Sequence, residues 1–160
     1  MERVNQICRH PLWTESVDKI RELERDRIFC KHDVAHCLDV ARIAYIENLE
    51  RGLEIPKERI YAAALLHDIG RHLQYLEGLP HDRGSAMVAE TILVDCGFSQ
   101  DEREEILSAI LQHRTQETKT KEDLAGLLYR ADKASRSCLF CQAQKACNWS
   151  QEKKNLTLKG

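Results

Sequence analysis

His67 and Asp68 stand side by side at the end of an apolar run, in YAAALLHDIGRH over residues 61–72. An imidazole and a carboxylate can both bind metal and carry protons. Burying a carboxylate is costly unless a cation or strong donors compensate it. Two further residues of suitable type have comparable surroundings. His36 sits in KHDVAHCLDVARIA, and Asp132 follows the apolar part of LLYRADKASR. Two histidines and two aspartates form a mixed nitrogen and oxygen donor set. Such a set suits a divalent transition ion: manganese, iron, cobalt, nickel or zinc. The plain alternative is a buried hydrogen-bonded network without metal, but two carboxylates among two imidazoles still call for a counter-charge.

A second set is built on cysteine. SCLFCQAQKACNW gives Cys138, Cys141 and Cys147 a C-x2-C-x5-C spacing. Such thiolates can hold a structural zinc ion, and an iron–sulfur cluster is the other candidate. A fourth ligand would come from Cys8, Cys30, His10 or water. Read plainly, the three are small apolar residues of a terminal helical turn. Cys37 and Cys96, beside apolar helical positions, fit that plain reading.

The donors lie far apart along the chain, so folding must bring them together. Three prolines, seven glycines and apolar positions recurring at three and four residues read as all-α. Six helices are expected, over residues 14–28, 33–51, 56–69, 82–96, 100–113 and 121–137. Thr14 caps the first, whose buried stripe is Val17, Ile20, Leu23 and Ile28. Val34, Leu38, Ala41, Tyr45 and Leu49 form the stripe of the second, which Gly52 stops. Residues 70–80 form a connection, and Ser99 with Glu102 makes a capping box. ERDR (24–27) and DERE (101–104) read as solvated faces. Adjacent residues on a helix diverge by about 100°, but at a helix end His67 and Asp68 can both turn toward one point. Residues 1–137 form one helical domain. Residues 138–160 are a cysteine-rich extension and polar tail rather than a second domain.

The bulk numbers narrow the class. A chain of 160 residues, 42% apolar and 31% charged, supports one soluble globular core. Its 24 basic and 26 acidic residues leave a net charge of −2, which argues against nonspecific nucleic-acid or membrane binding. The segment MERVNQICRHPLW lacks a signal-peptide core, and no apolar run is long enough to span a bilayer, so the cytosol is expected. Thiols stay reduced there, which argues against reading the seven cysteines as a disulfide framework.

AAALLHDIGR, the lone His36 upstream and Asp132 in ADKASR together resemble the HD superfamily of metal-dependent phosphohydrolases. The resemblance spans roughly residues 28–137. It implies an HD-domain helical bundle in which His36, His67, Asp68 and Asp132 bind a divalent ion. It also implies hydrolysis of a phosphate ester or anhydride, usually of a nucleotide; phosphomonoesterase, phosphodiesterase and pyrophosphohydrolase remain open. His81, opening HDRGSAMVAETIL, and His113, closing ILSAILQHR, are placed like the second-metal histidines of some subfamilies. HD-type dinucleoside polyphosphate hydrolases and cyclic-dinucleotide phosphodiesterases look like this. The interval from Asp68 to His81 is shorter here, and Arg114 stands where the phosphodiesterases carry another histidine. One ion is therefore expected, two are possible, and His81 and His113 are otherwise phosphate contacts.

Asp68, Arg71, Lys133 and Arg136 are the residues expected to act in catalysis, the three cations also binding substrate phosphate. His32, one turn before His36, is a further substrate contact or a merely satisfied histidine. His10 and His72 read as ordinary satisfied or surface histidines, and Glu77 is the one weak acid/base candidate. Lacking a clear acid/base glutamate, the chain is alternatively a non-catalytic nucleotide or metal sensor, or an adaptor. A homo-oligomer is possible. The expected partner is a small phosphate compound; no membrane partner is expected, and the near-neutral charge argues against nucleic acid without excluding a local basic patch.

Overall fold

The computed structural model describes residues 1–158. Its helices are α1 (Glu2–Arg9), α2 (Pro11–Leu23), α3 (Val34–Arg51), α4 (Lys57–Leu66), α5 (Arg71–Glu77), α6 (His81–Asp95), α7 (Gln100–Gln112) and α8 (Leu124–Ala134). Two 3-10 turns, Gln116–Thr120 and Cys138–Phe140, complete the described elements. The architecture is all-α, as the periodicity implies.

The bundle is organised around α4. Ile60 and every residue from Ala62 to Leu66 are buried. A segment apolar on all sides must be enclosed on all sides, and α1, α3, α7 and α8 pack around this helix. Its three consecutive alanines let the neighbouring backbones approach closely. The Trp13 indole N–H, on α2, donates to the Leu65 carbonyl at 3.3 Å.

All six expected helices are present, with two short ones added. In α1, Val4 and Ile7 are buried. Arg3 donates to Glu58 (2.9 Å) and twice to Glu102 (2.7 and 3.0 Å), so one residue of DERE is engaged rather than solvated. Helix α5 lies within the span read as a connection. Its seven residues are too few for periodicity to reveal. Helix α2 starts at Pro11, not after Thr14: the His10 ring accepts from the Leu12 N–H, and Pro11 occupies the first turn. The helix ends at Leu23, leaving Ile28 outside it and 66% exposed. In α3, Leu49 faces solvent while Asn48 is buried, its side chain bonded to both backbone groups of Ile55. Gly52 ends α3 in the left-handed region (φ 61°), and the Ser99–Glu102 capping box is formed.

One close approach fixes the helix order near the centre. A Cβ on Gly70 would lie 2.1 Å from the Gly84 carbonyl carbon and the Ser85 nitrogen. The Gly70 N–H also donates to Ser85 Oγ at 2.9 Å. The start of α6 is thereby seated on the turn that follows His67 and Asp68.

Past α8 the chain turns back on itself. Asn155 Nδ2 donates to the carbonyls of Lys133 (2.7 Å) and Arg136 (2.9 Å). Residues 159 and 160 of the tail lie outside the described residues. Among the described residues no helix is long and apolar enough to cross a membrane.

Candidate metal centre

His67 caps the C-terminus of α4, and Asp68 occupies the turn beyond it. Leaving the helix there lets both side chains aim at one point, which adjacent positions inside a helix cannot do. His36 comes from the first turn of α3, Asp132 from the last turns of α8, His81 from the start of α6, and His113 from the end of α7. All six are buried.

They form two donor groups, one of His36, His67 and Asp132, the other of Asp68, His81 and His113. Within each, the ligand atoms lie within 4.8 Å of one another. Asp68 lies between the two. Its Oδ2 is 3.2 Å from His67 Nε2 and 3.8 Å from His36 Nε2. Its Oδ1 is 3.3 Å from His81 Nε2 and 3.9 Å from His113 Nε2. Asp132 Oδ1 is 3.4 Å from His36 Nε2 and 3.8 Å from His67 Nε2.

The outer hydrogen bonds set the direction of each imidazole. Nδ1–H donates from His67 to the Ala64 carbonyl (2.7 Å), from His113 to the Ile110 carbonyl (2.5 Å) and from His81 to Gln74 Oε1 (2.7 Å). The Ser135 hydroxyl donates to the Asp132 carbonyl, so its oxygen accepts from His36 Nδ1–H at 3.2 Å. Each ring thus turns an Nε2 lone pair inward, the arrangement by which outer-shell oxygens orient metal-binding histidines.

The donor set fits divalent ions. The Nε2 atoms of His81 and His113 face each other at 3.4 Å, an unfavourable meeting of lone pairs without a cation or proton between them. His67 Nε2 and Asp68 Oδ1 are buried without a hydrogen-bond partner. Burial opposes a charge on His67, yet the Asp68 and Asp132 carboxylates raise its pKa to about 10. The same point that draws a proton would hold a metal cation. Burial pushes His81 down to about 3 and, with the His67 charge, His113 to about 4, so both imidazoles are neutral near pH 7. Burial also lowers His36. Against burial, the His67 charge holds Asp68 well below the usual carboxylate range, and the adjacent His36 and His67 rings do the same for Asp132.

Three cations border the centre. Arg71 Nε lies 3.3 Å from Asp68 Oδ1. Lys133 Nζ is 2.6 Å from Asp132 Oδ2. Arg136 reaches Asp132 Oδ1 at 3.1 Å and His36 Nε2 at 3.3 Å. A cleft with about 290 Å³ of water-accessible room opens beside His36 and Arg136, its other wall including Phe29 and Lys31.

His32 belongs to the centre through a residue that sequence reading assigned to solvent. Its Nε2 lies 3.9 Å from Asp68 Oδ2, while its Nδ1–H donates to Glu24 Oε1 at 2.6 Å. Tyr75 donates to the same oxygen at 2.6 Å, and the His32 N–H to the other at 2.8 Å. Glu24, the first residue of ERDR, is 2% exposed. Against its burial, these donors lower its carboxyl to about 2. Only the fold reveals this: Glu24 caps α2 and Tyr75 lies on the unforeseen α5. Glu77 is exposed in the last turn of α5. His72 is buried and bonded to the Ile69 carbonyl, and His10 to Asp95, both as ordinary satisfied histidines. Cys138 is buried and Cys141 and Cys147 half-buried, all three as free thiols, in turns rather than an α-helix.

Residues 33–137 match the HD domain family. An uncharacterized protein of Clostridium beijerinckii is 44% identical over 158 residues, covering 99% of both chains. The crystal structure of a predicted HD superfamily hydrolase from an uncultured Thermotogales bacterium has the same fold. Its TM-score is 0.63 at 24% identity, over 89% of this chain and 81% of that one.

Proposed function

The chain belongs to the HD domain family, and from that premise we propose that it is a divalent-metal-dependent phosphohydrolase with room for two ions, to both of which Asp68 would contribute. The observation that carries this reading is the Asp68 carboxylate itself, with one oxygen toward each donor group. His36, His67 and Asp132 would hold one ion, and His81 and His113 the other. When bound, such ions acidify a water and polarise a phosphoryl oxygen.

The rest of the work falls to the chain. Arg71, Lys133 and Arg136 offset the charge that gathers on the equatorial oxygens during in-line displacement. Lys133 and Arg136 rest on Asp132 and exchange that partner for substrate phosphate. Glu24 keeps the proton of His32 on Nδ1, so Nε2 is free to accept a proton from the attacking water. Burial lowers the pKa of His32, which keeps it neutral and ready for that role. The substrate is a small phosphate compound, and a nucleotide is the class we favour. Ile28 and Phe29 offer exposed apolar surface beside Lys31 and Arg136, suited to a base next to a phosphate.

The test uses the full chain, stripped of metal and reloaded in turn with manganese, iron, cobalt, nickel and zinc. Nucleotides and dinucleoside polyphosphates are then screened for released phosphate or nucleotide. The expected result is metal-dependent turnover that Asp68→Ala abolishes. Arg136 lies across the first donor group, which favours a second reading, a ligand-gated sensor that turns nothing over. Tight nucleotide binding with no hydrolysis under any of the five metals would establish that reading instead.

A further inference from the structure

The cysteine tail is not absorbed by this chemistry. Among residues 138–158 only Cys138 is buried; Leu139, Phe140 and Leu158 are exposed. A segment that buries so little apolar surface does not offset the entropy of ordering some twenty residues. Yet it is folded into successive turns. Gln144 Nε2 donates to the Cys138 carbonyl at 2.9 Å, Lys154 Nζ to the Gln144 carbonyl at 3.0 Å, and the Leu139 N–H to the Asn155 carbonyl at 3.0 Å. These turns double back the segment that carries the three tail cysteines.

A fourth cysteine lies beside two of them. Cys30 lies on the loop between α2 and α3 and lines the same cleft as Cys138 and Cys141. Burial raises the pKa of its thiol, the Arg136 charge opposes this, and the Cys138, Cys141 and Cys147 thiols all add to the rise. Cys30 is therefore within electrostatic reach of all three. The other fourth-ligand candidates are engaged elsewhere. His10 is bonded to Asp95, and Cys8 packs against the core, near enough to Cys96 to act on its thiol.

We propose that Cys30, Cys138, Cys141 and Cys147 are the four ligands of an iron–sulfur cluster that fastens the tail to the loop before α3. The choice over zinc rests on spacing. Tetrahedral zinc with bonds of about 2.3 Å requires sulfurs about 3.8 Å apart. Among the described residues, no three of these cysteines have sulfurs within 4.8 Å of one another, whereas both histidine–aspartate groups meet that limit. A cluster of several irons places its thiolates on a wider tetrahedron. Ligation is an exchange: each cysteine thiolate displaces one thiolate of a preassembled cluster's donor, which leaves with the proton the cysteine loses, so nothing is oxidised or reduced. Cys30 and Cys138 border the cleft that also holds His36 and Arg136, so the cluster forms part of the wall beside the metal centre.

The test uses the full chain purified without oxygen. Acid-labile sulfide separates this site from any iron bound by the histidines and aspartates. About two to four sulfides per chain are expected, falling to background in Cys30→Ser and unchanged in Cys8→Ser. A second measurement needs no variant: alkylation of the wild-type chain mapped by mass. Cys30, Cys138, Cys141 and Cys147 should be protected and become reactive together once the cluster is destroyed by acid. Zinc without sulfide, absence of both, or labelling of Cys30 independently of the other three would overturn the proposal.

Discussion

The two cysteine- and histidine-rich regions of this molecule are built in opposite ways. The histidine–aspartate centre draws one donor or two from each of five elements, and those elements are fixed by a core that would exist without it. The donors are pre-aimed by oxygens behind them. The tail has almost no core, and its cysteines are held by turns and a few part-buried hydrogen bonds. In the first region the fold positions the donors; in the second, ligation would hold the fold. Disturbing the centre should therefore change chemistry with little change in structure, and disturbing the tail the reverse.

Asp68→Ala is the strongest test. It removes the one carboxylate that lies between the two donor groups and leaves four inward-facing imidazoles with Asp132. Turnover should fall about a thousandfold or more, and bound divalent metal should drop from about two ions per chain to one or none. Sulfide content should not move. If sulfide fell in parallel, the two regions would not be separate structures.

Gly70→Ala attacks the scaffold of the centre rather than its donors. The added methyl would lie 2.1 Å from backbone atoms of Gly84 and Ser85, which cannot yield as a side-chain tip can. The start of α6 would be pushed away, and His81 with it. A loss of about 4 kcal/mol or more is expected, read as a fall in the denaturant midpoint. A small loss would mean that the helices around the centre shift easily, contrary to the contrast drawn above.

The sequence discloses these regions unevenly. His36, His67, Asp68 and Asp132 stand out because carboxylates and imidazoles beside apolar runs need a reason to be buried. His81 and His113 emerge as possible second ligands on resemblance, and geometry now groups them with Asp68. Glu24 stays hidden because a glutamate in ERDR looks like any solvated charge; only the packing of α2 on α5 encloses it. Helix α5 stays hidden because seven residues give too little periodicity, and α1 for the same reason. Cys30 is one of several possible partners for the tail cysteines until folding brings the loop to them.

Glu24→Gln sharpens the contrast by acting behind the donors. The amide keeps a hydrogen-bond acceptor for His32 Nδ1–H but loses the charge that would stabilise a protonated ring. Outer-shell changes of this type cost about 10–100-fold. The fall should appear in kcat with KM little changed, and divalent metal content should stay at the wild-type value. Loss of metal instead would make His32 a ligand rather than a proton acceptor.

Asn155→Ala carries the smallest expected effect and probes the tail alone. It deletes the bonds from Nδ2 to the Lys133 and Arg136 carbonyls at the end of α8. Such part-buried hydrogen bonds are each worth about 1 kcal/mol, and the core does not depend on them. The global midpoint should shift by no more than about 4 °C, while amide exchange across residues 138–158 accelerates. The acceleration should be modest in the cluster-loaded chain and large after the cluster is removed by acid and the chain is refolded without iron. Equal acceleration in both forms would mean that hydrogen bonds rather than thiolate ligation hold the tail, and the two regions would then owe their order to the same forces.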